Sequence, residues 1–142
     1  MAQVSGSPIG LLLSGGMDSG VLLARLLEKG HRVQPFYVRC GLVWEPCEIA
    51  STRRFLTAVA GPHAPEIVAF DMPLSDLYGE HWSMNGRNTP KAHSPDEAVF
   101  LPGRNALLVI KPAIWCQLHG IETLALGLLS GNPFADATDE FF

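Results

Sequence analysis

The stretch Ile9-Gly10-Leu11-Leu12-Leu13-Ser14-Gly15-Gly16-Met17-Asp18-Ser19 joins a short apolar run to a glycine turn, and a helical pattern with apolar residues from 21 to 27 follows it. The run from Ile9 to Leu13 predicts a buried strand, and Ser19 to Lys29 predicts a helix that stops at Gly30. Glycines allow backbone N–H groups to approach an oxygen-rich ligand closely, and a helix N-terminus adds free donors and the positive end of its dipole. We therefore expect an anion site, with phosphate as the first candidate, at residues 14–19.

The same six residues also fit a plainer interpretation, in which the glycines form a flexible turn and Asp18 and Ser19 merely cap the helix. The position of the turn, directly after a predicted buried strand, favours the anion site. The turn is not a Walker loop, because no Lys-Ser or Lys-Thr closes it, and it does not contain the GxGxxG pattern.

Composition sets the broad class of the protein. The chain has 142 residues, of which 47% are hydrophobic and 17% are charged, which predicts one globular domain over residues 1–142. A net charge of −4 makes nucleic acid an unfavourable partner and a small molecule the better one. The N-terminal residues do not resemble a signal peptide, and no apolar run reaches the length of a membrane span. We therefore expect a cytoplasmic enzyme without a membrane partner.

The cysteines and histidines do not predict a metal centre or a disulfide framework. Cys40, Cys47 and Cys116 are odd in number and contain no CxxC pair. The five histidines are scattered, without an HExxH or a His-x-His arrangement. Reduced thiols and surface or core histidines are the simplest interpretation.

The rest of the chain continues the alternation of strands and helices. Val33 to Val38 predicts a second strand, in which Pro35 indicates either a position near the sheet edge or pairing that begins after it. Residues 45–59 predict a helix that stops at Ala60-Gly61-Pro62, and Glu66 to Met72 predicts a third strand. Strands that alternate with helices predict an α/β fold, a three-layer sandwich with a mostly parallel twisted sheet and helices on both faces.

The second half of the chain begins with a segment that is predicted to be less regular. Residues 71–97 hold several glycines and prolines, which predicts a functional loop or a mobile lid that is poorly ordered without ligand. Arg104 to His119 predicts a long helix that Pro112 kinks or divides. Ile121 to Leu128 predicts a fourth strand, and Ser130 to Phe134 a turn.

Phe100-Leu101-Pro102-Gly103-Arg104-Asn105 is a second cluster of polar and turn-forming residues. Its proline and glycine bend brings Arg104 and Asn105 to the first turn of the predicted long helix. An arginine there can pair with phosphate or carboxylate, and an asparagine can donate and accept hydrogen bonds at once. The alternative is that Asn105 caps the helix while Arg104 is solvated.

The turn at residues 14–19 resembles the SGGxDS signature of the PP-loop ATP pyrophosphatase superfamily. Together with Phe-Leu-Pro-Gly-Arg-Asn at residues 100–105, it resembles the 7-cyano-7-deazaguanine synthase family, which has a VPxRN-type segment at this place. The likeness covers most of the chain. It implies the adenine nucleotide alpha hydrolase-like fold and an ATP-dependent ligase that adenylates its substrate. That substrate would be a small carboxylate, 7-carboxy-7-deazaguanine, which reacts with ammonia in queuosine biosynthesis.

The resemblance also implies roles for particular residues. Backbone amides of the glycine turn and the hydroxyls of Ser14 and Ser19 would hold pyrophosphate, and Asp18 would order the turn or bind Mg²⁺. Arg104 would contact a phosphate or the substrate carboxylate, and Asn105 would orient the helix start or the ligand. Adenine would lie near Phe36, Tyr37 and Val38, over the carboxyl ends of the first two strands. Arg39 and Lys91 are further candidate cations. The expected catalytic residues are Asp18, Arg104 and Asn105, and the expected nucleotide-binding residues are Ser14, Gly15, Gly16, Met17, Asp18, Ser19, Tyr37 and Val38.

The sequence departs from the family pattern in two places. The family carries a C-terminal cluster of four cysteines that binds zinc, and this chain has no counterpart, so zinc is not predicted. Cys40-Gly41-Leu42 stands where the family has Tyr-Gly-Gln. Because the chain stops soon after the fourth predicted strand, we expect a divergent member or one that lacks a C-terminal extension.

Three functions stay open from the sequence. The first is the deazaguanine synthase type of adenylation, which is compatible with a homo-oligomer. The second is another PP-loop reaction, such as amidation or thiolation of a tRNA base, although thiolation usually employs a cysteine pair and tRNA a basic face. The third is an ATP-binding module without turnover, which an assay for AMP formation distinguishes from both enzymes.

Overall fold

The computed structural model describes residues 7–129 and 131–141. The strands are β1 (Ile9–Leu12), β2 (Val33–Arg39), β3 (Val68–Asp71) and β4 (Thr123–Ala125). The helices are α1 (Met17–Glu28), α2 (Glu45–Ala60), α3 (Ser75–Tyr78), α4 (Trp82–Asn85) and α5 (Arg104–Leu118), with short 3-10 turns at Gly61–His63, Asp96–Ala98 and Ala135–Ala137. Within the described ranges, none of these helices has the length and apolar character that crossing a bilayer requires.

The four strands form one sheet in the order β3-β2-β1-β4, and every neighbouring pair is parallel. Ile9 of β1 is opposite Val33 of β2 on one side and Thr123 of β4 on the other. The chain runs outward from β1 to β2 and β3, and then returns to place β4 on the opposite side of β1. This order creates a topological switch point between β1 and β4, where the crevice of an open α/β sheet lies.

Alternate residues of the central strands pack on opposite faces of the sheet, as the two-residue period of a strand requires. Leu11 and Leu13 pack with Val33 against helix residues on the face of α1 and α2. Phe36 packs with residues of α5 on the other face. The helices therefore cover both faces, which confirms the predicted α/β architecture.

Of the two interpretations of Pro35, the edge position is not observed, because β2 lies inside the sheet between β1 and β3, whereas pairing that begins after the proline is observed on the side of β3. Phe36 O accepts from Leu13 N of β1, so the backbone groups of Pro35 face the β3 side. Pairing with β3 begins only at Phe36. Where an N–H at Pro35 would have pointed, the side-chain amide of Gln34 donates to Glu66 O at 3.1 Å.

Three further expectations have separate outcomes. Helix α5 continues through Pro112, so the proline does not divide it. The predicted bounds of β4 need correction, because the strand ends at Ala125, where the chain leaves the sheet to approach the start of α1. The predicted turn begins at Ser130, which lies outside the described residues, and it is observed as a turn at Gly131 and a bend at Phe134.

The segment 71–97 is more regular than its composition predicts, since it contains α3 and α4. Ser83 is fully buried, and its carbonyl accepts from Val43 N at 2.9 Å. Trp82 Nε1 donates to Ala98 O at 2.8 Å, and the Tyr78 hydroxyl donates to Pro102 O, also at 2.8 Å. These bonds fix the segment against the bend that starts α5.

Candidate functional site

The glycine turn between β1 and α1 presents backbone donors to solvent. Gly15 has φ of +75°, a left-handed conformation that favours glycine. Gly16 is the N-cap of α1, and no side chain caps the helix there. Ser19 Oγ donates to Gly16 O at 3.1 Å and lies 3.4 Å from Ser14 Oγ, so both hydroxyls lie beside the turn. The first amides of a helix have no partner within it, and these are therefore available to an anion.

Two neighbouring elements pack tightly against this turn. A Cβ at Gly15 would collide with Thr52 Oγ1 of α2 and lie 3.3 Å from Glu48 O. A Cβ at Gly127, in the segment after β4, would lie 2.7 Å from Ser19 N and 2.8 Å from the carbonyl carbon of Asp18. By contrast, a Cβ at Gly16 meets only Ser14 Oγ, at 3.4 Å. The turn is thus packed against α2 at Gly15 and against the segment after β4 at Asp18 and Ser19, and it is open at Gly16.

The start of α2 contributes two carboxylates to the same edge of the sheet. Glu45 accepts from Cys40 N at 2.5 Å and from Gly41 N at 3.1 Å, which fixes the backbone where β2 ends. Glu48 accepts from the Tyr37 hydroxyl at 2.6 Å. Burial raises the pKa of Glu48, while the hydrogen bond from Tyr37 lowers it. Burial and the bond to Glu48 raise the pKa of Tyr37 well above its ordinary value.

Arg104 enters this edge from the start of α5. Gly103 before it has φ of +71°, so the Pro-Gly bend turns the chain directly into the helix. The Nε of Arg104 is buried and has no hydrogen-bond partner within the described ranges. The charge of Arg104 lowers the pKa of Glu48. Burial raises the pKa of Cys40 to about 11, although the charge of Arg104 and a hydrogen bond from its guanidinium act to lower it. Arg104 therefore lies near Glu48, whose backbone adjoins the glycine turn.

A cavity of about 230 Å³ opens beside Arg104. Asn105 and Asp136 bring polar groups to it: Asp136 Oδ2 accepts from Asn105 N at 3.0 Å, and Asn105 Nδ2 donates to Asp136 O at 2.9 Å. Asp136 is only 7% exposed. The rest of the lining is mainly apolar and aromatic: Trp44, Trp82, Ser83, Val99, Phe100, Leu101, Leu128, Asn132 and Phe134.

The structure brings most of the predicted site residues to one edge of the sheet. Residues 14–19 form the turn, and Arg104 and Asn105 reach the same edge from α5. Tyr37 and Val38 are 3% and 7% exposed, so their side chains belong to the interior. Arg39 pairs with Asp71 at 2.6 Å, whereas Lys91 is exposed. The functional roles of all these residues stay predictions.

Several residues at this edge were not singled out from the sequence. Glu48, Thr52, Gly127 and Asp136 come from three separate segments, and each contacts the turn or the start of α5 only after folding. A glycine inside a predicted strand, as Gly127 is, was the one local signal available, because it often marks a close approach of another backbone segment. The aromatic residues at 44, 82, 100 and 134 show no shared pattern along the chain.

Within residues 7–129 and 131–141, no three residues of His, Cys, Asp or Glu are grouped as a metal site. Magnesium in phosphate sites takes one or two carboxylates, and phosphate oxygens and waters complete its coordination. Asp18 supplies one carboxylate in the first turn of α1, and its role as a magnesium ligand stays a prediction.

A parallel α/β sheet whose first strand ends in Ser-Gly-Gly-x-Asp-Ser defines a protein of the PP-loop class. The model of the family described as "Queuosine biosynthesis protein QueC" matches residues 9–142. The chain therefore belongs to the QueC family.

A curated relative gives the family match a second support. The chain is 27% identical over 134 residues to "7-cyano-7-deazaguanine synthase 1" of Desulfitobacterium hafniense (strain Y51). The aligned region covers 92% of this chain and 59% of the relative. The chain thus spans well under two thirds of that protein's length.

Proposed function

We propose that this protein is an ATP-dependent synthase that adenylates a carboxylated 7-deazapurine, 7-carboxy-7-deazaguanine, and transfers ammonia to the activated carboxyl group. Membership of the QueC family and the name of the curated relative support a synthase of this type. The residues at the carboxyl edge of the sheet support the ATP-dependent step.

The glycine turn is the proposed site of the ATP phosphates. It combines exposed backbone at Gly15, Gly16 and Met17 with the hydroxyls of Ser14 and Ser19. No side chain caps the start of α1, and Gly16 N makes only a long bond, 3.4 Å, to Ser14 Oγ. The adjoining Asp18 carries a carboxylate that would hold Mg²⁺ together with phosphate oxygens. Adenine is proposed to lie over the ends of β1 and β2, against the backbone at Tyr37 and Val38, because their side chains are buried.

The observation that carries the proposal is the buried, unpaired Nε of Arg104 at the start of α5, near Glu48. A buried polar atom without a partner is costly, so a protein that keeps one there indicates a ligand that completes its hydrogen bonding. The planar guanidinium matches a carboxylate or a phosphate with two parallel bonds. Asn105 follows it and holds Asp136, which fixes the start of α5 and thereby the direction of Arg104.

The chemistry needs positioning and charge stabilisation, without a protein nucleophile. A carboxylate oxygen of the acceptor attacks the α-phosphorus of ATP, and pyrophosphate leaves. Ammonia then displaces AMP from the activated carboxyl group and gives the carboxamide. A cyano product of the kind in the relative's name would require that the amide oxygen is lost as well, in a second adenylation. The turn amides stabilise the negative charge on the leaving pyrophosphate, and Arg104 holds the acceptor carboxylate in line with the phosphorus.

The properties of Cys40 weigh against a role for this cysteine in thiolation, and Cys47 is the one exposed cysteine among the described residues. Thiol chemistry needs an accessible thiolate, which a lowered pKa provides. Cys40 is fully buried, and burial raises its pKa to about 11. Cys40 is therefore a protonated, packed side chain at neutral pH.

The products of turnover test the proposal. The protein is incubated with ATP labelled at the α position, Mg²⁺, ammonia and 7-carboxy-7-deazaguanine, and the nucleotides are then separated. We expect labelled AMP that depends on the deazaguanine. Labelled ADP as the main product would exclude adenylation, and intact ATP that is bound but not consumed would favour a binding module.

A further inference from the structure

The cavity beside Arg104 is lined by two pairs of aromatic rings. The rings of Trp44 and Trp82 lie 5.3 Å apart at 33°, and those of Phe100 and Phe134 are stacked 4.5 Å apart. These rings give the cavity flat apolar walls, which suit a planar aromatic ligand. Its volume of about 230 Å³ is several times the roughly 30 Å³ that one water occupies and below the roughly 300–1,000 Å³ of drug-sized sites. The size thus suits a ligand of one or two rings.

Asp136 is the one carboxylate of this lining, and its hydrogen bonding is incomplete. Its Oδ2 accepts from Asn105 N, while Oδ1 accepts no hydrogen bond from any described residue. A carboxylate offers about four lone-pair positions, so most of the accepting capacity of Asp136 is unused. Asp136 is 7% exposed, and its Oδ1 is not among the fully buried atoms that lack a partner, so this oxygen is open to the cavity. A buried carboxylate gains most from a ligand that donates N–H groups to it.

That requirement distinguishes between types of purine ring. A ring with a 2-amino group and a neighbouring ring N–H offers two adjacent donors, which match the two oxygens of a carboxylate. The corresponding edge of an adenine-type ring has an acceptor nitrogen beside its amino group. A carboxylate oxygen repels this nitrogen, because both atoms are hydrogen-bond acceptors. A ring without the 2-amino group retains one donor.

We propose that this cavity binds the ring of the acceptor, and that Asp136 determines specificity by accepting hydrogen bonds from the ring N–H and the 2-amino group of a guanine-type heterocycle. This inference rests on the proposed function, because it places the acceptor whose carboxylate Arg104 holds. Arg104 lines the cavity and also lies near Glu48 beside the glycine turn. A ring in the cavity lies beside Arg104, the residue proposed to hold its carboxylate.

Binding without ATP tests the inference separately from turnover. Calorimetry compares 7-carboxy-7-deazaguanine with the analogue that lacks only the 2-amino group. The wild type should prefer the 2-amino ligand by about 10- to 100-fold, the range expected for a hydrogen bond to a charged group. Asp136→Asn keeps an oxygen for Asn105 N but loses the charge, so the preference should fall to about threefold or less. Asp139→Asn removes the same charge at an exposed position nearby and should keep the preference.

The outcomes separate the two proposals. Equal binding of both ligands by the wild type would overturn the role of Asp136, whatever any variant does, and so would an unchanged preference in a folded Asp136→Asn. If either result is found and the wild type releases AMP with 7-carboxy-7-deazaguanine, the proposed function stands but Asp136 does not determine the specificity for the 2-amino group. Selective binding without AMP release would support the cavity and contradict the proposed function.

Discussion

The glycine turn and the aromatic cavity lie at the same edge of the sheet but are built in opposite ways. The turn consists of consecutive residues, 14–19, and offers exposed backbone donors. The cavity collects side chains from segments near residues 44, 82, 100–105 and 128–136, and its one carboxylate is buried. Backbone donors suit phosphate in any nucleotide, whereas converging side chains distinguish one ring from another. The predictions below test whether the two regions have these separate roles.

Gly127→Ala should have the largest effect, because it forces a carbon against the backbone of Asp18 and Ser19. Neither the helix start nor the segment after β4 can move without disturbing the turn. We expect loss of ATP binding and a decrease of about 1–3 kcal/mol in the free energy of unfolding, as for an overpacked core. Calorimetry with ATP and urea unfolding measure the two effects.

Gly131→Ala is the matched control in the same segment. Gly131 has φ of +83° but open space around a Cβ, so alanine there costs only backbone strain. It should lower stability and leave ATP affinity unchanged. Equal ATP affinities in Gly127→Ala and the wild type would show that the β4 segment does not support the turn.

Arg104→Lys should lower turnover by about 100-fold, the loss seen when one donor to a developing charge is removed. Lysine keeps the charge but not the planar fork that holds a carboxylate by two bonds. ATP affinity should change little, because the turn binds the phosphates. If Arg104→Lys matches the wild type in turnover while Arg104→Ala only lowers the melting temperature, the residue is structural.

The contrast between a turn of consecutive residues and a cavity of separate segments explains which features the sequence predicted. Strand, glycine turn and helix follow one another in residues 9–19, so periodicity and turn chemistry located the candidate anion site and the α/β class. The bend before Arg104 was also readable, because proline and glycine mark it locally. Asp136 and Trp82 could not be found in this way, since only folding brings them to Arg104. Pro35 indicated pairing that begins after it, which holds on the side of β3, whereas the bond from the Gln34 side chain to Glu66 O depends on the folded sheet.

Gly16→Val should lower ATP affinity by about tenfold, the equivalent of one hydrogen bond to a charged group. A valine at Gly16 has room in the fold, since only Ser14 Oγ is near, but its branched side chain covers the exposed amides. Calorimetry with ATP, beside circular dichroism as a fold check, measures this. Binding of the deazaguanine by this variant should be unaffected. Unchanged ATP affinity in the folded variant would show that the turn is not part of the nucleotide site.

Glu48→Gln should have the smallest effect, seen in the pH dependence of stability. Burial raises the pKa of Glu48 above its ordinary value of 4.5, so the folded state binds this proton more tightly than the unfolded state does. The contribution of Glu48 to stability is therefore greatest below the unfolded pKa and is lost as pH rises through the raised folded pKa. In urea unfolding, the free energy of unfolding of the wild type should decline as pH rises across this range. The decline should be absent in Glu48→Gln and present in Glu28→Gln, where the substitution is at an exposed position.

The central claim is that a carboxylate held by Arg104 attacks the α-phosphorus of an ATP bound at the glycine turn. The most direct test follows the oxygen that the attack transfers. With 7-carboxy-7-deazaguanine labelled by a heavy oxygen isotope in its carboxylate, mass spectrometry of the released AMP should find one labelled oxygen in its phosphate. Release of unlabelled AMP would show that water attacks the phosphorus, and that result would contradict the account.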